Sequence, residues 1–305
     1  MVGTEMARNV GPAGIEIAYE RFGDRQAPPV LLVMALGAQM LSWPDGFCAE
    51  LIARGLQVIR FDNRDVGLST HLDDAPIPDL PAALAGDLSS AAYTLSDMAA
   101  DAVGLLDALG LDSAHVVGAS MGGMIAQLLA IEHPERVRSL TSMLSTTGDP
   151  AVGQPDPTAL KEVFAGPPAT TREEVIEQAV RARRAVGSPG FPMDEAAVRD
   201  GAGRAYDRAH DPMGIARQAV AVVAAGDRTE RLRSVAVPTL VIHGADDRMC
   251  NVSGGRATAA AIPGAELVVI EGLGHDLPRA LWPELADRIA GLVSRVEATR
   301  QRSAP

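Results

Sequence analysis

The most informative stretch of the chain reads Ala114-His115-Val116-Val117-Gly118-Ala119-Ser120-Met121-Gly122-Gly123-Met124-Ile125-Ala126. An apolar, β-branched run ends at Gly118, a serine follows between two glycines, and helix-forming residues begin at Met121. This order predicts a strand, a sharp turn and a helix. The glycines fit such a turn because a Cβ atom would collide where the strand and the helix come close together.

Ser120 stands at the point of this turn and is the predicted nucleophile. A Gly-x-Ser-x-Gly turn between a strand and a helix holds the serine in a strained backbone conformation and lifts its hydroxyl clear of the sheet. The N-terminus of the next helix offers free backbone N–H groups and a partial positive charge to an oxyanion. The chain contains 30 glycines, so the pattern alone is weak evidence, and the prediction depends on partners farther along the chain.

Strands and helices are expected to alternate on both sides of the turn. The segment 15–22 alternates in polarity as an antiparallel edge strand does, whereas the segment 77–90 is predicted to be irregular and 299–305 to be frayed. The other strand-length apolar runs lie at 30–34, 57–61, 137–144, 238–243 and 266–270, and helical periodicity occurs at 45–54, 95–109, 121–131, 255–261 and 283–296. This alternation predicts an α/β fold with a mostly parallel central sheet and helices on both faces.

The segment from Thr146 to Asp227 interrupts this alternation. It has no convincing strand, and its helical windows lie at 171–186, 194–208 and 212–225. We therefore expect a helical cap at residues 146–227, inserted into one core domain formed by residues 1–145 and 228–305.

Composition excludes several function classes. The net charge is −12 without basic clusters, which argues against binding to nucleic acid or to an anionic membrane surface. The longest apolar stretches have the length of strands, so no membrane segment is expected. The first 14 residues lack the basic and apolar regions of a secretory signal, which favours a cytoplasmic protein. Cys48 and Cys250 are expected to be reduced thiols.

A serine nucleophile needs a base, and His275 is the best candidate among six histidines. It lies in Gly272-Leu273-Gly274-His275-Asp276, directly after the strand predicted at 266–270. Ligands of open α/β sheets gather beyond the carboxyl ends of the strands, so this position is favourable. The remaining five are expected to be structural or solvated: His71, His115, His133, His210 and His243.

The histidine in turn needs an orienting carboxylate, and Asp246 and Asp247 both follow the strand predicted at 238–243. Of two adjacent aspartates, one can orient the histidine while the other binds backbone N–H groups of the loop. The order serine, aspartate, histidine along the chain is that of the α/β-hydrolase triad and differs from the chymotrypsin and subtilisin orders.

Together these features resemble the α/β-hydrolase superfamily across nearly the whole chain. The resembling segments are 58–70, the turn from Gly118 to Gly122, 237–244 and 274–275. They are most similar to esterases like aclacinomycin methylesterase, and also to cofactor-free haloperoxidases. In this family the acid usually precedes a proline; Arg248 stands in that place here, which implies Asp247 as the acid and leaves Asp246 as an alternative.

The resemblance also implies an oxyanion hole made by two backbone N–H groups. One belongs to the residue after the nucleophile, Met121, and the other to the loop after an early strand. That loop commonly reads His-Gly-x-Gly in the family, whereas this chain has Met34-Ala35-Leu36-Gly37. The alignment makes Leu36 the second donor, and a backbone contact tolerates the changed side chains.

The predicted activity is therefore hydrolysis of a carboxylic ester through an acyl-enzyme, with a small-molecule ester as partner and with no metal or organic cofactor. A cofactor-free haloperoxidase or perhydrolase, an acyltransferase and a carbon–carbon bond hydrolase use the same triad and remain alternatives. A non-catalytic binding protein is disfavoured because such proteins usually lose a member of the triad. Neither the substrate-binding residues nor the oligomeric state can be predicted from the sequence.

Overall fold

A computed structural model describes residues 3–166 and 169–303 of the chain. Its strands form one eight-stranded sheet in the order β1-β2-β4-β3-β5-β6-β7-β8. β1 and β2 run antiparallel to their neighbours, and the other neighbouring pairs are parallel. The strands are β1 Glu5–Val10, β2 Ile15–Phe22, β3 Pro29–Val33, β4 Gln57–Phe61, β5 Ala114–Ala119, β6 Val137–Met143, β7 Thr239–Gly244 and β8 Glu266–Ile270.

Helices follow most of the parallel strands and form two cores, one on each face of the sheet. One face packs chiefly against α3 and α4, and the opposite face against α1 and α11. The helices are α1 Asp45–Ala53, α2 Leu80–Leu84, α3 Leu95–Ala108, α4 Met121–Glu132, α5 Pro157–Val163, α6 Arg172–Val186, α7 Glu195–Arg208, α8 Pro212–Ala225, α9 Thr229–Leu232, α10 Ser253–Ala261 and α11 Trp282–Ser303. The predicted mostly parallel sheet, covered on both faces, is confirmed.

The central strands are buried along their whole length, which explains their sequences. Every residue of β3, β4, β5 and β7 is buried. A strand covered by helices on both faces favours a mainly apolar sequence over an alternating one, and the few polar residues of these strands are buried as well. Because these strands run parallel, their carboxyl ends lie at a common edge of the sheet, where the loops that follow them meet.

The prediction of 15–22 as the edge strand is wrong. β2 pairs with β4 on one side and with β1 on the other, so β1 is the edge. The sequence of β1 gives little sign of a strand because only two of its six residues are buried, and its pairing is irregular between Ala7 and Val10. Asn9 adopts a left-handed conformation with φ of 54° at this irregularity.

Between β6 and β7 the described residues form helices joined by loops, without a strand. α6, α7 and α8 match the three predicted helical windows, and the short helices α5 and α9 were not predicted. Two further expectations need correction: the short helix α2 lies in the segment expected to be irregular, and α11 continues to Ser303 instead of fraying from residue 299. The last two residues of that expected fray lie outside the described residues.

Candidate active site

Ser120 joins β5 to α4 in a strained turn. Its φ is 55° and its ψ is −120°, a combination that non-glycine residues rarely adopt. The turn is possible because its glycines carry no side chain. A Cβ on Gly118 would lie 2.0 Å from the carbonyl oxygen of Gly122, and a Cβ on Gly122 would lie 2.1 Å from that of Val33. The turn therefore presses the start of α4 against the end of β3.

His275 lies between Ser120 and Asp247. Its Nε2 is 3.1 Å from the Oγ of Ser120, and its Nδ1 is 2.7 Å from the Oδ2 of Asp247. Asp247 follows β7 and is fully buried at its side chain, whereas the side chain of His275, after β8, is 14% exposed. The structure thus brings three side chains from the ends of β5, β7 and β8 into one hydrogen-bonded chain, separated by 155 and 28 residues in sequence.

The neighbouring aspartates have different contacts. The Oδ1 of Asp247 accepts backbone N–H groups from Met249 and Cys250 at 2.9 and 2.8 Å, which orients the carboxylate toward the histidine. Asp246 is exposed and accepts the backbone N–H of Gly272 at 2.8 Å. Asp247 is therefore the carboxylate that contacts His275, and Asp246 fastens the loop that carries it.

A second histidine lies behind the acid. His243 is completely buried, its Nε2 is 2.7 Å from the carbonyl oxygen of Cys250, and the same nitrogen is 3.6 Å from the Oδ2 of Asp247. Burial lowers the pKa of His243, so the ring is neutral and its Nε2 carries the proton donated to that carbonyl. Sequence reasoning assigned His243 a structural position but gave no sign of its proximity to Asp247.

The two amides expected to form an oxyanion hole are available. Among the residues that the structure describes, the backbone N–H groups of Met121 and Leu36 have no hydrogen-bond acceptor. Met121 is the first residue of α4, where helix geometry leaves N–H groups without an internal partner. Leu36 lies in a turn closed by the N–H of Ala38 on the carbonyl of Ala35, at 3.2 Å.

The helical segment between β6 and β7 fastens the histidine loop. The N–H of His275 donates to the carbonyl of Val186 at 2.7 Å, and the N–H of Gly274 donates to the Oγ of Ser188 at 2.9 Å. Ser188 also donates to Asp276, whose other oxygen accepts from Arg183 at 2.6 Å. The position of His275 therefore depends on residues at the end of α6 as well as on β8.

One group of side chains has the composition of a metal site. The nearest ligand atoms of Asp65, His71 and Asp211 lie within 4.8 Å of one another. The guanidinium of Arg217 already binds the carboxylates that a metal ion would need. It contacts both oxygens of Asp65 at 2.9 and 2.8 Å and Asp211 at 3.3 Å. His71 completes the network with a contact of 2.7 Å to Asp211. The donor set thus forms an ion-pair network between α8 and the loop after β4.

Comparison with known proteins agrees with this geometry. Residues 28–278 match the family described as the alpha/beta hydrolase fold. The chain belongs to the α/β-hydrolase family. The predicted fold and the predicted family resemblance are therefore confirmed, and the chain is an enzyme of that family by descent.

The relatives of this α/β hydrolase include ester and carbon–carbon hydrolases. A rhodomycin D methylesterase from Streptomyces peucetius is 34% identical over 299 residues, which cover 88% of this chain and 92% of that protein. A 2-hydroxymuconate semialdehyde hydrolase from Pseudomonas putida is 31% identical over 66% of this chain and 68% of its own. An enol-lactonase structure from Burkholderia xenovorans LB400 superposes with a TM-score of 0.66 at 26% identity, covering 96% of this chain and 100% of that one.

Two other predictions from composition can be compared with the structure of this α/β hydrolase. In residues 3–166 and 169–303, every helix is too short or too polar to cross a bilayer. Cys48 and Cys250 are both buried and free, as expected for reduced thiols.

Proposed function

We propose that this α/β hydrolase cleaves carboxylic esters, and methyl esters in particular. In this proposal Ser120 is the nucleophile, His275 the general base and Asp247 the residue that orients the imidazole. The observation that carries it is the position of His275, whose two ring nitrogens contact Ser120 and Asp247 at 3.1 and 2.7 Å. The methyl ester is suggested by the rhodomycin D methylesterases, which match 88% of the chain.

The first half of the reaction forms an acyl-enzyme. The Oγ of Ser120 attacks the ester carbonyl while Nε2 of His275 takes its proton, and Asp247 stabilises the resulting imidazolium. The negative charge on the carbonyl oxygen is met by the N–H groups of Met121 and Leu36, each worth about 3 kcal/mol in the transition state. The carbon–oxygen bond of the ester then breaks, and His275 protonates the departing methoxide to give methanol.

The second half returns the enzyme to its starting state. Water gives a proton to Nε2 of His275 and attacks the acyl carbon, and the same two N–H groups hold the new oxyanion. Collapse of this intermediate breaks the bond to Ser120, whose oxygen takes the proton back from His275. One ester and one water are consumed, and one alcohol and one carboxylic acid are released. Every step uses groups of the chain and water.

The helices of residues 146–227 are proposed to act as a cap over this site. Support comes from their contacts with the catalytic loops: Val186 and Ser188 bind the histidine loop, and Gln218 binds the N–H of Gly37 at 2.7 Å. A cap at the carboxyl edge of the sheet would shape the substrate pocket and exclude solvent during the reaction.

The experiment compares Ser120→Ala with the parent on methyl and ethyl esters of the same acids and on p-nitrophenyl esters of short and medium acyl chains. Ser113→Ala is the matched control, because Ser113 is a buried serine before β5 whose Oγ accepts from Arg138 at 3.0 Å. We expect ester hydrolysis in the parent and in Ser113→Ala, and its loss in Ser120→Ala. A folded parent that is inactive on every ester but cleaves 2-hydroxymuconate semialdehyde would replace the ester proposal by the carbon–carbon alternative.

A further inference from the structure

Gln218 of α8 links the loop after β3 to the loop after β4. Its side chain is completely buried. Its Oε1 accepts the backbone N–H of Gly37 at 2.7 Å, and its Nε2 donates to the carbonyl of Arg64 at 2.8 Å. The orientation of the amide is unambiguous because a backbone N–H only donates and a carbonyl only accepts. The two partners lie 181 and 154 residues away in sequence.

Gly37 directly follows Leu36, the second amide of the proposed oxyanion hole. The turn from Ala35 to Ala38 requires glycine at this position, since φ of Gly37 is 69°. The turn also contacts α8, because a Cβ on Gly37 would lie 3.1 Å from Ile215. The N–H of Gly37 is bound to Gln218. The N–H of Leu36, one residue earlier in the turn, has no acceptor among the described residues.

The core holds the ends of this turn rather than its middle: Met34 is buried and its carbonyl accepts from Asn63 at 3.1 Å, and Ala35 and Ala38 pack against the core. Leu36 is 36% exposed, so its side chain does not anchor the backbone in a core. Beyond the turn, Gln39 donates to the carbonyls of Ala205 and Ala209 at 2.8 Å each, which are again contacts to the helical segment rather than to the sheet. The side-chain hydrogen bonds of Gly37 and Gln39, which follow Leu36, thus come from α7 and α8.

We propose that Gln218 is a positioning residue for the oxyanion hole. By binding the N–H of Gly37 and the carbonyl of Arg64, it fixes the turn in which the Leu36 N–H faces the substrate oxygen. The proposal rests on the proposed function and deepens it, because it assigns the helical segment a role in the chemical step besides covering the pocket. An amide displaced by about 1 Å loses much of its effect on the transition state.

The test compares Gln218→Met with Gln57→Met. Gln57 is the matched control: it is completely buried, accepts from Arg21 at 3.1 Å, donates to the carbonyl of Asp24 at 3.0 Å, and lies at the opposite end of β4 from the site. Each variant removes two hydrogen bonds of one buried amide. The measurements are kcat and KM on the best ester, the inhibition constant of a trifluoromethyl ketone that forms a tetrahedral oxyanion with serine, and the urea midpoint of unfolding.

We expect Gln218→Met to lower kcat by about 10- to 100-fold with KM nearly unchanged. The inhibition constant of the ketone should rise by a similar factor. Gln57→Met should lower the urea midpoint comparably and leave both kinetic quantities near the parent values.

Other results overturn the proposal in distinguishable ways. Equal kcat in the two methionine variants, or a Gln218→Met variant that loses stability but binds the ketone as the parent does, would reduce Gln218 to a structural residue. If the parent activity does not depend on Ser120, the proposed function itself fails, whatever the Gln218 variants do.

Discussion

The Nε2 of His243 lies 3.6 Å from the Oδ2 of Asp247, the same oxygen that contacts His275 at 2.7 Å. Because burial lowers the pKa of His243 and its Nε2 proton faces the carbonyl of Cys250, His243 adds a neutral dipole behind the acid rather than a second charge. Asp247 thus has one partner that can become cationic, His275. In the proposed mechanism the carboxylate of Asp247 therefore stabilises the imidazolium of His275.

The first prediction separates the two adjacent aspartates. Asp247→Asn should lower kcat by about 10³- to 10⁴-fold, because an amide stabilises the wrong tautomer of His275 and cannot stabilise its cation. Asp246→Asn keeps an oxygen that accepts the N–H of Gly272, so it should change kcat only a few-fold. Steady-state kinetics on one ester decide the question. A larger loss in Asp246→Asn would reassign the triad acid.

The second prediction concerns the tight turn at Ser120. Gly122→Ala places a Cβ 2.1 Å from the carbonyl oxygen of Val33, so either the turn or β3 must move. We expect a loss of about 2 kcal/mol or more in the free energy of unfolding, together with a large loss of activity. Gly201→Ala is the matched control in the interior of α7, where a Cβ meets no atom within 4 Å. It should be neutral or stabilising by up to about 1 kcal/mol, and urea titrations of both variants measure the difference.

The third prediction uses the buried His115. Burial lowers its pKa to about 4 despite the nearby carboxylate of Glu297. The folded value lies below the unfolded value of about 6.5, so the contribution of His115 to stability is present above pH 6.5 and is lost as the pH falls toward 4.

His115→Gln should therefore flatten the pH dependence of stability. Between pH 7 and pH 4 the parent should lose about 2 to 3 kcal/mol more free energy of unfolding than the variant. Urea titrations at several pH values measure both slopes. Parallel slopes for the two proteins would mean that His115 titrates normally in the folded state.

The sequence predicted the fold where its patterns were strong. The β5 to α4 turn, β3 and β8 follow from apolar runs bounded by glycine, proline or polar residues, and β4 from a short run rich in apolar residues. β1 escaped prediction because an edge strand buries few residues and needs no apolar run. α5 and α2 escaped because helices of seven and five residues carry too few turns for periodicity to be visible.

Some residues of the candidate site could be predicted from the sequence, and others could not. Ser120, Asp247 and His275 could be found because each stands in a loop directly after a strand, in an order that has chemical meaning. Gln218 could not be found, since one glutamine in an alanine-rich helix gives no sign of a partner 181 residues away. The closeness of His243 to Asp247 likewise depends on the turn after β7, which only the folded backbone defines.

The most direct test of the account is covalent labelling by a fluorophosphonate, followed by mass spectrometry of the digested protein. Such reagents phosphonylate a serine that a neighbouring histidine activates. We expect stoichiometric modification of Ser120 in the parent, blocked by Ser120→Ala and slowed by Asp247→Asn far more than by Asp246→Asn. Labelling of a different serine, or an unlabelled Ser120 in a protein that still hydrolyses esters, would contradict it.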